Sequence, residues 1–536
     1  MKKLKLVCVA IAMACATPTL AGGLLTNTNQ HVAFDRMMSR EASIGIDGVY
    51  YNPAGVVFMS EGHHLAINWQ LAFQTRTINN DYALFTNNVN NPITPRDFKG
   101  TAFAPVIPSF QYAYNKGKWS FQASFALTGG GGKCTFDDGL GSFEKIVAET
   151  AIAACGLAGV VDQTLGNTLG QPGMEMFTSD QAFGKTGKYS FNSYMHGRQY
   201  YYGLSVGAAY KFCDNFSAFL GVRGVYALTN YYGYVENINV GNMPLYKVLD
   251  PTKESSANIE LSCDQSGVGF TPIIGVDYKT GRWNFSAKYE FKTRIRLKNK
   301  SVNQTPSIGN LPANLANQMT GILTAKYQQA GLPLEQAKQQ AENTTNAVLN
   351  DPTVGATMMG LKTQFDQKLN KAIGEYEDGK KIAGDIPAYL ALGVGYSPVD
   401  AVRVNAGFHW FDDKNATSYN NRNKELKRGT LEYNAGVEVD VNKKITLSTG
   451  WQNTNYGLSD EYMDDKSFVV SSNSVAIGGV YHINKKMDLN VAYFHTFYQH
   501  KKTTETVQLT ADRSLNYSSD YTRNNNVFAV GLDINF

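Results

Sequence analysis

The chain has 536 residues, a formal net charge of +4, 12% aromatic residues, 50 glycines and 31 tyrosines. A charge balance this close to neutral gives no reason to expect a nucleic-acid partner. Abundant Tyr, Phe and Gly are instead compatible with a membrane β-barrel, in which aromatic side chains form girdles at both interfaces and glycine fits bends in the wall.

Residues 1–21 predict a secretory signal peptide. Three lysines are followed by the uncharged apolar run Leu6–Ala16 and by a small-x-small sequence that ends at Ala21. The run is too short to span a bilayer, which needs about 18 apolar residues. A lipoprotein signal through Cys15 fits less well, because 12–14 lacks the usual branched residue. Removing the signal lowers the net charge to +1 and leaves no apolar run near that length. A membrane-embedded mature chain must therefore be a closed barrel.

Beyond the signal, apolar and polar residues alternate in many short segments. In the last segment, every second residue from Phe528 to Phe536 is apolar, and the residues between them are small or polar. This period of two predicts a strand with one oily and one wet face, which suits a soluble sandwich or an outer-membrane barrel. Fourteen strands are predicted: His64–Arg76, Phe103–Tyr114, Trp119–Thr128, Tyr200–Phe212, Phe216–Tyr234, Gly267–Tyr278, Trp283–Leu297, Pro387–Tyr396, Val402–Phe411, Leu431–Val441, Ile445–Asn455, Ser474–Ile483, Leu489–Tyr498 and Val527–Phe536.

The connections between these segments decide between the two architectures. Short turns alternate without exception with long connections, which is the pattern of an outer-membrane barrel with one rim in the periplasm and one outside. A soluble sandwich has no reason to sort its loops in this way. We therefore predict an all-β fold, a 14-stranded antiparallel transmembrane β-barrel over residues 64–536. The short turns are Asn115–Lys118, Cys213–Asn215, Lys279–Arg282, Pro398–Ala401, Asn442–Lys444 and Asn484–Lys486.

Two long connections, about 130–199 and 300–386, are predicted to carry helices over the outer mouth. The first contains a small-residue helical stretch around Phe143–Ala154. In the second, Leu315, Met319 and Leu323 recur at helical spacing, and prolines restart the pattern. These helices either bind a ligand or only pack against each other.

The cysteines and histidines predict neither a metal site nor a cofactor. Cys134 and Cys155 lie in one connection, so they either form a disulfide in an oxidising compartment or remain free thiols with the other cysteines. No His/Cys cluster has metal-ligand spacing, and no serine occupies a nucleophile elbow.

The seventh predicted strand carries a cationic stripe. Unless a bulge intervenes, its charged side chains share the lumen-facing side of the strand and make candidates for binding an anionic head group. The alternative is a structural ion-pair ladder across the lumen, completed by Glu438 or Asp440. The stripe contains Lys288, Glu290, Lys292, Arg294 and Arg296.

Residues 22–63 precede the first strand and are too long for a leader and too polar to span a membrane. They contain the sequence Asn52-Pro53-Ala54-Gly55, which read locally is an ordinary turn. This motif resembles the amino-terminal hatch of the FadL family of outer-membrane transporters for long-chain fatty acids and aromatic hydrocarbons. The fourteen-strand layout and Pro108 in the second strand resemble that family too, so the likeness covers nearly the whole mature chain.

The resemblance implies a monomeric Gram-negative outer-membrane barrel without enzymatic activity, plugged by a hatch whose motif is Asn52, Pro53, Ala54 and Gly55. Hydrophobic ligands would be caught at the loop helices, pass to an inner apolar site and leave when the hatch shifts. Family members are thought to release ligand sideways through a kinked third strand. The candidate Trp119–Thr128 departs from that pattern, since it contains neither Pro nor Gly.

The implied partners are hydrophobic small molecules, such as fatty acids or aromatics, and outer-membrane lipid. Three other functions stay open at this point. They are an outer-membrane hydrolase, a structural or adhesive barrel, and a general porin, which would need an open lumen.

Overall fold

A computed structural model of the chain describes residues 24–510 and 513–536, so the predicted signal peptide lies outside the described residues. The described chain forms a closed antiparallel β-barrel of fourteen strands, which confirms the predicted fold class. The strands are β1 Gly62–Tyr82, β2 Arg96–Lys116, β3 Trp119–Phe136, β4 Tyr189–Cys213, β5 Phe216–Val240, β6 Ile259–Thr280, β7 Trp283–Glu290 with Arg296–Ser301, β8 Lys381–Ala383 with Tyr389–Val399, β9 Val402–Phe411, β10 Thr430–Asn442, β11 Ile445–Asn455, β12 Ser472–Asn484, β13 Met487–Tyr498 with Lys501–Thr510, and β14 Arg513–Asn535.

The barrel closes between its first and last strands. β1 pairs antiparallel with β14 from His64 opposite Asn535 to Tyr82 opposite Tyr517, so no edge of the wall is left open there. Both strand ends lie on the rim that carries the short connections, which we call the turn rim. The opposite edge, which carries the long connections, is the loop rim.

One long connection differs from the sequence prediction. Residues 499–526 were expected to form a loop, but Lys501–Thr510 pairs with the first part of β14, from Lys501 opposite Tyr521 to Thr510 opposite Arg513. The last hairpin therefore extends beyond the neighbouring strands at the loop rim.

The loop rim carries the helices of the outer mouth. They are α3 Gly141–Leu169, α4 Tyr246–Leu249, α5 Leu311–Gln329, α6 Leu334–Leu349 and α7 Pro352–Ile373, whereas α1 Val32–Arg36 and α2 Gly48–Tyr51 lie in the N-terminal segment. By length and composition α3 would cross a membrane, with a mean hydropathy of 1.4 over its most apolar window. The expectation of no such run after the signal was therefore wrong, because alanine, valine, leucine and isoleucine keep the average high although charged residues interrupt the run. Half of that window is buried inside the protein, and α3 packs against α7 and α6.

The two faces of the wall have opposite chemistry. Outward side chains are apolar and exposed, as at Trp69, Phe270 and Leu220. Inward positions of the wall strands hold buried polar groups, among them Asn68, Gln111 and Asn434. The four cysteines among the described residues are free thiols, so the predicted alternative of a Cys134–Cys155 disulfide is not what the structure contains.

Candidate functional site

Residues 24–61 lie inside the barrel and fill its lumen; we call them the plug. The plug contains α1, α2 and a 3-10 turn at Gly55–Phe58. Between residues 26 and 57 nearly every side chain is buried, and many of those side chains are polar. A polar plug suits a polar inner wall because each buried donor and acceptor needs a partner.

The strongest contacts between plug and wall are ionic. Glu438 on β10 accepts hydrogen bonds from Arg36 at 2.6 Å and from Arg40 at 2.6 Å. Arg40 also bonds Asp47 within the plug, at 2.7 Å. All four side chains are buried, so removing one partner would leave a charge uncompensated away from water.

A second buried contact joins plug and wall through an imidazole. His409 on β9 has one ring nitrogen 2.6 Å from Glu41 of the plug and the other 2.8 Å from Glu432 on β10. The ring is completely buried, and Tyr389 packs edge-on against it. His409 therefore links the middle of the plug to two neighbouring strands.

Lys288, the first member of the predicted stripe, does face the lumen. Its ammonium group donates to the backbone oxygen of Tyr50 at 2.6 Å and to Glu290 at 2.9 Å, and it lies 3.9 Å from the centre of the Tyr50 ring. Glu290 is also paired with Arg223 on β5. Lys288 is thus fully engaged in holding α2 against the wall.

Glu290 shares this face with Lys288, but Arg294 and Arg296 do not, because the bulge that the predicted stripe had to avoid is present. Ile273 on β6 lies opposite Glu290, but Ser266 lies opposite Lys298, which means that β7 contains one extra residue between these pairs. Because side chains alternate with a period of two, a one-residue bulge turns the rest of the strand to the other face. Thr293 and Ile295 are therefore buried, whereas Arg294 and Arg296 are exposed.

Two further stripe residues form polar contacts at the loop rim. Lys292 donates to the backbone oxygen of Asn415, and Arg296 pairs with Asp385 at 2.8 Å. Neither Glu438 nor Asp440 completes a ladder with the stripe. Glu438 binds the plug, and Asp440 pairs with Arg403.

The motif Asn52-Pro53-Ala54-Gly55 forms the contact between the plug and three strands near the turn rim. Asn52 donates to Asp277 on β6 at 2.6 Å, Gln122 on β3 donates to the oxygen of Pro53 at 2.7 Å, and Ser217 on β5 donates to the oxygen of Ala54 at 2.7 Å.

Within the motif, Gly55 has to be glycine. Its amide donates to the Asn52 side chain at 3.1 Å, and a Cβ at this position would collide with that same side chain. The motif therefore closes on itself while its carbonyl groups are bound by the wall.

The N-terminal end of the plug, Leu24–Gln30, is held differently. Thr26 forms an isolated bridge with Gly129 of β3, where the amide of Asn27 donates to Thr128 and the amide of Gly130 donates to Leu25, both at 3.0 Å. Gly129 lies so close that a Cβ there would be 2.7 Å from the oxygen of Leu25. This end of the plug thus pairs with β3 at a single β-bridge.

The bridge lies beside a gap in the wall. β2 and β3 pair from Lys116 opposite Trp119 to Phe110 opposite Phe125, and they pair again only at Thr101 opposite Thr135. The unpaired stretch of β2 contains two prolines, which lack the amide needed for pairing, and that of β3 contains the glycine run 129–132. The glycine run follows the predicted strand Trp119–Thr128, which explains why that segment alone showed no Pro or Gly.

The mouth above the barrel encloses an apolar cavity of about 120 Å³. α3 supplies much of its lining, with further contributions from α4, α5 and α7; Leu157, Val161, Val248, Leu315 and Phe365 are among the lining side chains. Lys368 and Glu149 at its edge pair with each other, so the cavity contains no uncompensated charge from them. The mouth helices therefore leave space for an apolar guest.

Among residues 24–510 and 513–536, no group of three or more His, Cys, Asp or Glu side chains is arranged to hold a metal ion.

The fold of this chain is similar to that of several solved structures. A Pseudomonas aeruginosa FadL homologue superposes with a TM-score of 0.58 at 13% identity, covering 96% of this chain and 100% of that one. The TodX deltaS2S3 mutant monoaromatic hydrocarbon channel gives 0.51 at 13% identity, covering 94% and 99%. The fold is that of the FadL-type outer-membrane transporters. The Pseudomonas putida toluene transporter TodX also aligns, with a TM-score of 0.49 at 12% identity, covering 92% and 94%. No protein-family model and no curated protein sequence matches the chain.

Proposed function

We propose that this chain is an outer-membrane channel for the uptake of hydrophobic compounds such as long-chain fatty acids, which diffuse through a barrel gated by the plug acting as a hatch. The observation that carries the proposal is the continuous plug inside a FadL-type barrel whose mouth holds an apolar cavity. A general porin needs an open lumen, and residues 24–61 occupy this one.

The proposed path starts at the mouth cavity and ends at the gap between β2 and β3. In an outer membrane the turn rim would face the periplasm and the loop rim the outside. The end of the plug at Leu25–Asn27 covers the β3 side of the gap with two backbone hydrogen bonds and one from the side-chain amide of Asn27 to the oxygen of Leu127. Release of this end would uncover the gap while the ionic contacts of the rest of the plug stay in place.

The proposed role is not enzymatic, and the similar structures named above are a transporter homologue and hydrocarbon channels. A hydrolase in the same barrel would release cleaved lipid from outer-membrane fractions, and such cleavage would speak against the channel.

Uptake by reconstituted protein tests the proposal. Proteoliposomes with the mature chain should take up radiolabelled oleate, or the neutral hydrocarbon dodecane, faster than protein-free liposomes. The protein should also fractionate with the outer membrane and migrate as a heat-modifiable band. Recovery in the soluble periplasm, or uptake equal to that of empty liposomes for both probes, would end this interpretation.

A further inference from the structure

Two arginines face each other on the inner wall of the barrel at the closure of β1 and β14. Arg76 lies directly opposite Arg523 in the strand register. Both occupy lumen-facing positions, in phase with the buried Gln74 and Asn525. Like charges directly opposite each other destabilise a sheet, so this pair needs a compensating group.

No carboxylate supplies that compensation within residues 24–510 and 513–536, where neither arginine forms a salt bridge. Both guanidinium groups instead donate to one oxygen of Gln74, Arg76 at 3.1 Å and Arg523 at 2.7 Å. Arg523 is 8% exposed, and its Nε has no hydrogen-bond acceptor. Two positive charges thus share one neutral acceptor.

The adjacent amides add further donors. Gln74 lies opposite Asn525 in the register, and both side chains are almost fully buried. The Nε2 atom of Gln74 and the Nδ2 atom of Asn525 have no acceptor among the described residues. The Oδ1 atom of Asn525 is also unpaired, so the two arginines and three unpaired donors face one unpaired acceptor. Buried polar atoms are ordinarily satisfied, and this excess of donors and positive charge indicates a site for an anion.

The surroundings of this site are apolar on the side toward the mouth. The guanidinium group of Arg523 lies 5.1 Å from the centre of the Tyr498 ring. Tyr498 and Phe143 both pack against one buried cluster, which contains Ile78, Ala102, Phe136, Phe468 and Tyr521.

That cluster connects the arginines to the mouth. Phe143 lines a second apolar cavity, of about 50 Å³, which shares Ile146 and Val147 with the larger mouth cavity. Apolar side chains are therefore continuous from the arginines to the mouth cavities, as a long apolar tail beside an anionic head requires.

We propose that Arg76 and Arg523, with Gln74 and Asn525, bind the carboxylate head group of a long-chain amphiphile whose tail lies among the apolar residues toward the mouth. This inference rests on the proposed channel function and narrows its substrate class from hydrophobic compounds in general to acidic ones. It also assigns the head group to residues other than the stripe on β7.

The test compares two probes of equal chain length, oleate and oleyl alcohol, bound to the mature protein in lipid nanodiscs. The variant Arg76→Gln with Arg523→Gln should bind oleate at least about tenfold more weakly, because two charge-assisted hydrogen-bonding groups are lost. Its affinity for oleyl alcohol should change by less than about twofold. The same variant without ligand should melt at the same or a higher temperature, because the repulsion is gone.

The matched control is Arg294→Gln with Arg296→Gln, which removes two exposed positive charges from the loop rim and should leave both affinities unchanged. Where the double lumen variant does not fold, Arg76→Gln alone, at the less buried position, should weaken oleate binding about fivefold. Equal loss of both probes, or loss of neither, overturns the carboxylate site. If the unaltered protein binds neither probe, the proposed channel function fails as well.

Discussion

The two ends of the plug are held in the barrel by different kinds of contact. The main part, from α1 to Gly55, is fixed by buried charged contacts at Glu438 and His409, by the hydrogen bond from the Lys288 ammonium group to the oxygen of Tyr50, and by the docked motif. The N-terminal end is held at β3 by two backbone hydrogen bonds and by the side-chain amide of Asn27. Breaking a buried ion pair costs several kcal/mol, whereas a neutral hydrogen bond contributes about 1 kcal/mol net.

This difference indicates which part of the plug can move at the lower cost in free energy. The N-terminal end covers the gap between β2 and β3 and is the part whose release costs least. The main part occupies the lumen and would have to break several buried charge contacts in order to leave. We therefore expect gating to involve the end of the plug first.

The largest effect should come from removing the whole plug. Deleting residues 22–61 empties the lumen while leaving the closing strands β1 and β14 intact, since their pairing begins at His64. Single-channel conductance in planar bilayers should rise well above that of the full chain. A conductance that does not change would show that the plug does not block the lumen.

The next largest effect should come from removing the ion pairs of Glu438 that hold the main part of the plug. Glu438→Ala leaves Arg36 and Arg40 buried without their carboxylate, which should lower the free energy of unfolding by about 3–5 kcal/mol. Urea unfolding of the protein in detergent micelles measures this loss.

The neighbouring carboxylate on the same strand is the matched control. Asp440 pairs with Arg403 at a position where both side chains are about a third exposed. Asp440→Ala should therefore cost at most about 1 kcal/mol. If the two alanine variants lose the same stability, Glu438 does not clamp the plug.

A smaller effect should follow from displacing only the N-terminal end. In Gly129→Ala the new Cβ would lie 2.7 Å from the oxygen of Leu25, so the end has to move away at a cost of about 1–3 kcal/mol. Limited proteolysis should then cut near Leu24–Gln30 faster, while the barrel keeps its heat-modifiable band.

Gly275→Ala is the control for that substitution, because its Cβ would meet no atom closer than 3.6 Å. It should leave the proteolysis rate unchanged. Equal protection of the N-terminal end in both alanine variants would contradict a weakly held end.

The smallest effect concerns pH. Asp413 at the loop rim accepts a hydrogen bond from the amide of Leu24, and burial raises the pKa of Asp413 to about 6, although bonds from Thr430 and Leu24 oppose that rise. A carboxyl group whose pKa is raised in the folded state stabilises the fold most below its unfolded pKa of about 4, and that stabilisation is lost as the pH rises through about 6.

Melting curves of the unaltered protein and of Asp413→Asn test whether the stability contributed by Asp413 falls as the pH rises. The difference in Tm, unaltered minus variant, should fall by about 2 °C between about pH 4 and about pH 7 and stay constant above that. A difference that grows over this interval would contradict the raised pKa.

Much of the wall was predictable because its rules are local. Alternation in segments such as Val402–Phe411 and short turns such as Asn442–Lys444 depend on neighbouring residues, and they gave the strand number and the sorting of the connections. The motif at Asn52–Gly55 could be noticed in the sequence, but its binding partners on β3, β5 and β6 could not, since they lie 69 to 225 residues away.

The prediction that the β7 stripe faces the lumen along its whole length was wrong, because it depended on a bulge that the local sequence does not reveal. One inserted residue after Glu290 is visible only in the pairing with β6, and it turns Arg294 and Arg296 outward. Arg76 and Arg523 were missed for the opposite reason, because 447 positions separate them in the sequence and only barrel closure brings them together.

The sequence alone determined that this chain is a fourteen-stranded barrel with an N-terminal segment left over, because strand period and turn chemistry act over a few residues. Tertiary structure decided what that segment contacts, where the wall has a gap and which charges lack partners. Each of those features depends on the register between strands and on contacts made across the lumen, and local sequence does not encode either of them.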